Sequence, residues 1–181
     1  VWPHISTVEQ AQAAIAACRY PTKTEHPLHH PFGQRGDGPT TAVRYWGLTQ
    51  HEYYKKADVW PLNSSGEILA MLMIEDIEGV RNLHDILKET PGVGAVMIGE
   101  GDLSQELGVP RQYDHPELLS AMAEIRSICK AHNVPVAHPH VTTENVERVY
   151  NEGYRILVCG TSRMYPALDR VHELIKTSHS I

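Results

Sequence analysis

Short apolar runs that alternate with helical patterns constrain this chain more than any other feature. Ile68-Leu69-Ala70-Met71-Leu72-Met73-Ile74 is a nearly continuous apolar run that ends at Glu75. It is too short for a helix of ordinary length and predicts a strand buried on both faces. Ile77, Val80, Leu83, Ile86 and Leu87 follow at helical spacing until Pro91-Gly92 breaks the pattern. Residues 95–98 predict the next strand. A helix over 116–132, a strand over 134–138, a helix over 143–151, a strand over 155–159 and a last helix from about Met164 complete the series. Strands and helices in this alternation make a parallel sheet covered by helices.

The amino-terminal third is less regular. Ser6 or Thr7 caps a predicted helix that runs to about Ala17, with Ala11, Ala14, Ile15 and Cys18 on one face. Residues 20–40 carry Pro21, Pro27, Pro31, Gly33, Gly36, Gly38 and Pro39 and read as a long loop, and loops of that length serve function or move. A second helix is predicted from Thr49 to near Ala57, and Asn63-Ser64-Ser65-Gly66 is a turn. Val1-Trp2-Pro3 reads as the end of a strand. An eight-stranded α/β barrel takes about 200–250 residues, against the 181 here. The expectation is therefore one domain over 1–181, either an open sheet or a (β/α)8 TIM barrel lacking its amino-terminal third.

The formal net charge of -6 argues against a nucleic-acid partner. Tyr45, Trp46, Tyr53 and Tyr54 are expected to pack rather than stack bases. No apolar stretch is long enough to span a membrane and no signal-peptide pattern is present, so no membrane partner is expected. Cys18, Cys129 and Cys159 are far apart and odd in number, which fits free thiols in a reducing cytoplasm.

In parallel α/β folds, ligands bind at the carboxyl ends of the strands. Two strands here end in acids, one at Glu75 and one in Gly99-Glu100-Gly101-Asp102. Such a pair suits a hard divalent cation, which takes one or two carboxylates and keeps waters or substrate oxygens in its shell. Gly99 and Gly101 allow a tight turn and close approach to a ligand, and the amides of Gly101, Asp102 and Leu103 would lie near a helix start that can bind an anion. A plainer reading stands beside this one. Asp102 would cap a helix over 103–106, and Glu75 would face a helix dipole.

The stretch MIEDIEGVRNLHDILKETPGVGAVMIGEGDLSQELG resembles the HpcH/HpaI family of class II, metal-dependent pyruvate aldolases. Their pattern is a strand ending in Ile-Glu, a helix with Asn-Leu, then Pro-Gly-Val, a strand, and Gly-Pro-Ala-Asp-Leu-Ser. Arg19-Tyr20-Pro21 with Gln34-Arg35-Gly36 is similar to the family's Arg-Tyr-Pro-Pro and Arg-Gly loop, with an insertion. His115-Pro116-Glu117 matches a helix start, and Gly153 to Gly160 looks like the last strand. The resemblance implies a (β/α)8 barrel, of which this chain covers the end of strand 4 to the last helix. It implies a homo-oligomer, usually a hexamer. It implies Mg²⁺, Mn²⁺ or Co²⁺ held by Glu75 and Asp102, and a pyruvate carboxylate held by the amides of Gly101 and Asp102. The metal would then stabilise a pyruvate enolate that adds to an aldehyde or forms when a 4-hydroxy-2-oxo acid is cleaved. A proton-transferring His and a keto-polarising Arg of the family are expected before Val1.

Two positions depart from that pattern. Met73 stands where the family has a substrate-contacting Gln, and Glu100-Gly101 replaces Pro-Ala. Glu100 is expected to point outward, to reach the ion through a water, or to mark a changed substrate. His138 and His140 are candidates for the pocket and for proton transfer, with His140 taken as substrate-binding and a polar strand end as the plainer alternative. Arg35 is a candidate for an anionic substrate tail, or a surface ion pair. The loop His26-Pro27-Leu28-His29-His30-Pro31 is expected at subunit contacts or the site mouth. The leading function is a metal-dependent aldolase or lyase. The alternatives are a thioester lyase like citrate lyase or malyl-CoA lyase, and a catalytically inactive barrel with a structural or regulatory role.

Overall fold

A computed structural model describes residues 1–159 and 165–178. Helix α1 (Val8–Cys18) starts where Thr7 and Gln10 cap each other reciprocally. Its Ala11, Ala14 and Ile15 are buried, as the spacing predicts. Residues 20–39 form no helix or strand. Arg19, only 1% exposed, pins this segment. Its guanidinium donates to the carbonyls of Pro31 and Leu28, both at 2.7 Å, and to Asp58 at 2.6 Å. Burial would raise Asp58, but hydrogen bonds from Arg19, the Val59 amide and Asn63 outweigh it and hold the carboxyl below its usual range.

Helices α2 (Thr40–Trp46) and α3 (Gln50–Lys56) follow. The sequence pattern missed α2, which buries no residue and so carries no apolar stripe. The run 68–74 is not one strand. Strand β2 (Ile68–Leu69) pairs with β1 (Val59–Trp60), whereas β3 (Met71–Ile74) belongs to the main sheet. The break falls at Ala70, whose carbonyl accepts from the amides of Gly94 and Ala95. Helix α4 (Ile77–Glu89), strand β4 (Ala95–Ile98), helix α5 (Glu100–Glu106), helix α6 (Pro116–Ala131), strand β5 (Val136–Val141), helix α7 (Val146–Asn151), strand β6 (Ile156–Cys159) and helix α8 (Tyr165–Ser178) complete the order. Strand β5 runs past the expected end through His138-Pro139-His140, with a register shift against β6 there. Gly160 and Met164, the expected end of the last strand and start of the last helix, lie outside the described residues.

The sheet is parallel in the order β3-β4-β5-β6. Trp2 extends it beyond β3 by a parallel bridge to Leu72, which bears out the strand end read at Val1-Trp2-Pro3. One face, with Leu72, Ile74, Val96 and Ile98, packs into the core beside Ile15, Leu83 and Ile125. The other carries Met71, Ala95, Met97 and Ala137, with Met73 and Ile156 against them. Helix α4 contacts both α1 and α6, so these helices line one side in chain order. Sequential strands wound in one direction are the winding of a (β/α) barrel, whereas a doubly wound sheet reverses its order. Cys18, Cys129 and Cys159 are free thiols, and burial pushes Cys129 up to about 12. No helix among the described residues is long and apolar enough to cross a membrane.

Candidate active site

The site is built where β3 and β4 end. The two strands lie in register, with Met73 opposite Met97 and Ile74 opposite Ile98. Side chains alternate along a strand, so Glu75 continues the Met71 and Met73 face. The next position of β4 is Gly99, whose amide donates to the Ile74 carbonyl at 2.9 Å. A Cβ on Gly99 would overlap the Glu75 side chain. That close approach is why glycine stands there; its φ of -87° is open to any residue. A Cβ on Gly101 would meet nothing within 4 Å, so that backbone faces open space.

Helix α5 begins at once, at Glu100, with Gly99 at its cap position. Asp102 is therefore in the first turn and is not the cap. Glu75 is no cap either, because Asp76 takes that role for α4 and accepts the Gly79 amide at 2.5 Å. The reading of Asp102 as a helix cap is thus corrected, while Glu75 still stands directly before the start of α4. The expected anion cradle loses one member, since the Leu103 amide donates to the Gly99 carbonyl at 3.0 Å.

Glu75 is 4% exposed and Asp102 is exposed. Burial pushes the Glu75 carboxyl up. Contacts to His4 oppose this, and Asp102 adds to it through a shared hydrogen bond and like-charge repulsion. The structure thus brings the two acids together. His4, which the sequence reading missed, donates its amide to Glu75 Oε1 at 2.6 Å and places its Nδ1 at 3.2 Å. Its φ of +53° is in the left-handed region, uncommon for a residue with a Cβ. A histidine directly after a strand end was the only signal available.

Met73 lies two residues before Glu75, partly buried against the methionine and alanine face. It offers the site an apolar wall and no donor. Arg35 is not brought there. Its amide bonds the Arg19 carbonyl at 2.8 Å, beyond the end of α1, while Glu75 meets His4 before the start of that helix. A helix of 11 residues spans about 16 Å. The Arg35 guanidinium bonds the Tyr53 hydroxyl and lies over the Tyr20 ring at 4.9 Å, away from Glu75 and Asp102. His140 is also directed elsewhere. Its Nδ1 bonds Glu100 Oε1. Glu100 is 4% exposed, so the outward-pointing reading of that acid is overturned. His138 is 5% exposed, and burial pushes its imidazole down against the pull of Glu100.

The family model for HpcH/HpaI aldolase/citrate lyase matches residues 1–165. The chain belongs to the HpcH/HpaI aldolase/citrate lyase family. It is 28% identical over 173 residues to a 2-dehydro-3,6-dideoxy-6-sulfogluconate aldolase of Pseudomonas putida, covering 96% of this chain and 60% of that protein. It is 32% identical over 134 residues to a 2-keto-3-deoxy-L-rhamnonate aldolase of Salmonella paratyphi B, covering 71% of this chain and 43% of that one. The chain therefore spans about half the length of the curated relatives it matches. An HpcH/HpaI family structure from Burkholderia cenocepacia superposes with a TM-score of 0.74 at 24% identity, over 98% of this chain and 63% of that one. This likeness shows the fold, and the HpcH/HpaI chain described here is a portion of a TIM barrel.

Among the described residues, no three or more His, Cys, Asp or Glu gather into a complete metal cage. What the HpcH/HpaI chain presents is two neighbouring carboxylates, one of them buried, beside open backbone at Gly101. That donor set fits a Mg²⁺-like ion, which binds through one or two carboxylates and leaves positions for substrate and water. It does not fit a closed structural zinc site.

Proposed function

We propose that this chain carries the metal-holding part of a class II pyruvate aldolase, a carbon-carbon lyase that cleaves or forms 4-hydroxy-2-oxo acids through a pyruvate enolate. The observation that carries the reading is the meeting of Glu75 and Asp102 just past the ends of neighbouring parallel strands, where burial, and after it the Asp102 carboxylate, push the Glu75 carboxyl up. Both would hold Mg²⁺, Mn²⁺ or Co²⁺. Such an ion supplies Lewis acidity toward the keto oxygen of the substrate. Glu75, fixed by the His4 amide and the gap at Gly99, would set one donor oxygen. Asp102 would supply the second from the first turn of α5, and the amides of Gly101 and Asp102 would receive the pyruvate carboxylate. Met73 would wall the site without bonding substrate. The names of the two aldolase relatives specify 2-oxo-3-deoxy acids, which carry the same 2-oxo acid head. A homo-oligomer, hexameric by resemblance, belongs to the same proposal, as does a reducing cytoplasmic setting, which the three free thiols support.

The test is release of pyruvate from a panel of 4-hydroxy-2-oxo acids by the full chain after chelator treatment and metal return. Activity restored by Mg²⁺ or Mn²⁺ and absent in Glu75→Gln supports the reading. Full activity in Glu75→Gln overturns it, and activity confined to CoA thioesters selects the thioester lyase instead.

A further inference from the structure

Glu100 is the buried acid that the metal reading does not use. It is the first residue of α5, and its carboxylate spans two side chains of β5. His140 Nδ1 bonds Oε1, and His138 Nε2 lies 3.8 Å from Oε2. His138 Nδ1 accepts the His140 amide at 3.2 Å, so its neutral ring carries the proton on Nε2, the nitrogen facing Glu100. The His138 ring sits edge-on to buried Tyr154 at 4.9 Å. Arg126 donates to the Tyr154 hydroxyl at 3.1 Å and pairs with Glu152 at 3.4 Å, which also holds Arg148 at 2.7 Å. The Asn145 side chain ties the His140 carbonyl and the Thr142 amide. Apart from His138 Nε2, which stands 3.8 Å from Glu100, these polar groups are hydrogen-bonded or ion-paired within the protein, whereas a site built for a ligand leaves groups unpaired. The cluster is a fastening.

What it fastens is the start of α5. That helix has 7 residues and no side-chain cap at Gly99. A helix so short does not stand without tertiary contacts. The cap residue Gly99 is tied to β3 through its amide on the Ile74 carbonyl at 2.9 Å, and further along Ser104 Oγ donates to the Gly101 carbonyl at 2.6 Å and accepts from the Arg111 amide at 2.9 Å, while Glu106 accepts from the Ile77 amide at 2.7 Å. Glu100 is the tie across to β5, and a negative charge at a helix start agrees with the dipole. Asp102 stands two residues on, exposed and carried by that turn.

We propose that Glu100, hydrogen-bonded by His140 with the His138 ring beside it, is a positioning residue that sets the first turn of α5 against β5 and so fixes the Asp102 carboxylate relative to Glu75. The proposal rests on Asp102 being a metal ligand. Partners behind a ligand typically change metal affinity by about 10–100-fold when removed. A simple charge effect makes the opposite prediction at one position. Removing His140 leaves the negative charge of Glu100 in place, so charge alone predicts unchanged or tighter cation binding, while a lost clasp predicts weaker binding.

The experiment titrates Mn²⁺ alone into the full chain by electron paramagnetic resonance. Hydrogen exchange at the Leu103 amide is read in parallel. Glu100→Ala is expected to weaken Mn²⁺ binding about tenfold, with faster exchange at Leu103. His140→Ala weakens it in the same direction, and the double variant is no worse than Glu100→Ala. Glu100→Gln, which keeps an acceptor for His140 without the charge, retains most of the affinity. His140 is 61% exposed, so its variant stays informative if Glu100→Ala does not fold. Asp102→Asn tests the underlying reading separately. If it binds Mn²⁺ like wild type, the metal reading falls and the clasp with it. If it loses Mn²⁺ while His140→Ala binds at least as tightly as wild type, the clasp alone is overturned.

Discussion

Glu75 is a carboxylate held where water is scarce, next to another carboxylate. Its raised pKa means that the folded chain binds this proton more tightly than the unfolded chain. The stability that the protonated group confers is complete below the unfolded value and is lost as pH rises through the folded one. Metal-free Glu75→Gln stays neutral, so it should be at least as stable as wild type at pH 7, with a flatter stability profile above the ordinary value of 4.5; thermal melts across pH measure this. Mn²⁺ at a hundredfold excess over its Kd should stabilise wild type by about 2.7 kcal/mol and leave the variant unmoved. Gly99→Ala should displace the Glu75 side chain, at a cost of about 1–3 kcal/mol, and should weaken Mn²⁺ binding in the same titration. Glu75 and Asp102 were legible as candidates because strand ends in a parallel sheet are where ligands bind. Glu100 and His4 were not, since their partners are 40 and 71 positions away and no local pattern records such contacts.

The helices that frame the site begin by different means. Helix α4 has Asp76, whose carboxylate accepts the Gly79 amide at 2.5 Å and the Ser6 hydroxyl. Asp76→Ala should cost about 0.5–2 kcal/mol in urea unfolding, with the larger values expected because the link to the α1 cap goes too. Helix α5 has only glycine at its start, and for that reason its ends are tied by long-range contacts. This explains what sequence reading could and could not see among the elements. The apolar runs around Leu72 and Val96 announced strands because nearly every residue of them is buried, and Ile77 to Leu87 announced a helix because it buries a periodic face. The start of α5 was displaced by three residues in the reading, since Gly99-Glu100-Gly101 has no helical signature and becomes helical through packing. The same holds at Ala70, where two strands share one apolar run and only their different partners divide them.

At the scale of the molecule, one direction of winding carries the acids to a common edge. Alternation in the sequence was enough for a parallel sheet, but the choice between open sheet and barrel needed the helices to be seen on one side in chain order. The insertion-bearing loop after α1 is anchored by Arg19, and removing that cation leaves Asp58 half-buried without its partner. Arg19→Ala should therefore cost about 3–5 kcal/mol, read as a drop in melting temperature with the loop exposed to proteolysis. None of this touches the chemistry proposed for the sheet edge, which would stand on Glu75 and Asp102. The direct measurement is exchange of the pyruvate methyl protons for deuterium, followed by nuclear magnetic resonance in the full chain with Mg²⁺ and no aldehyde. The account predicts metal-dependent exchange in wild type that is lost in Glu75→Gln and Asp102→Asn. Exchange that persists in both variants at the wild-type rate would contradict it.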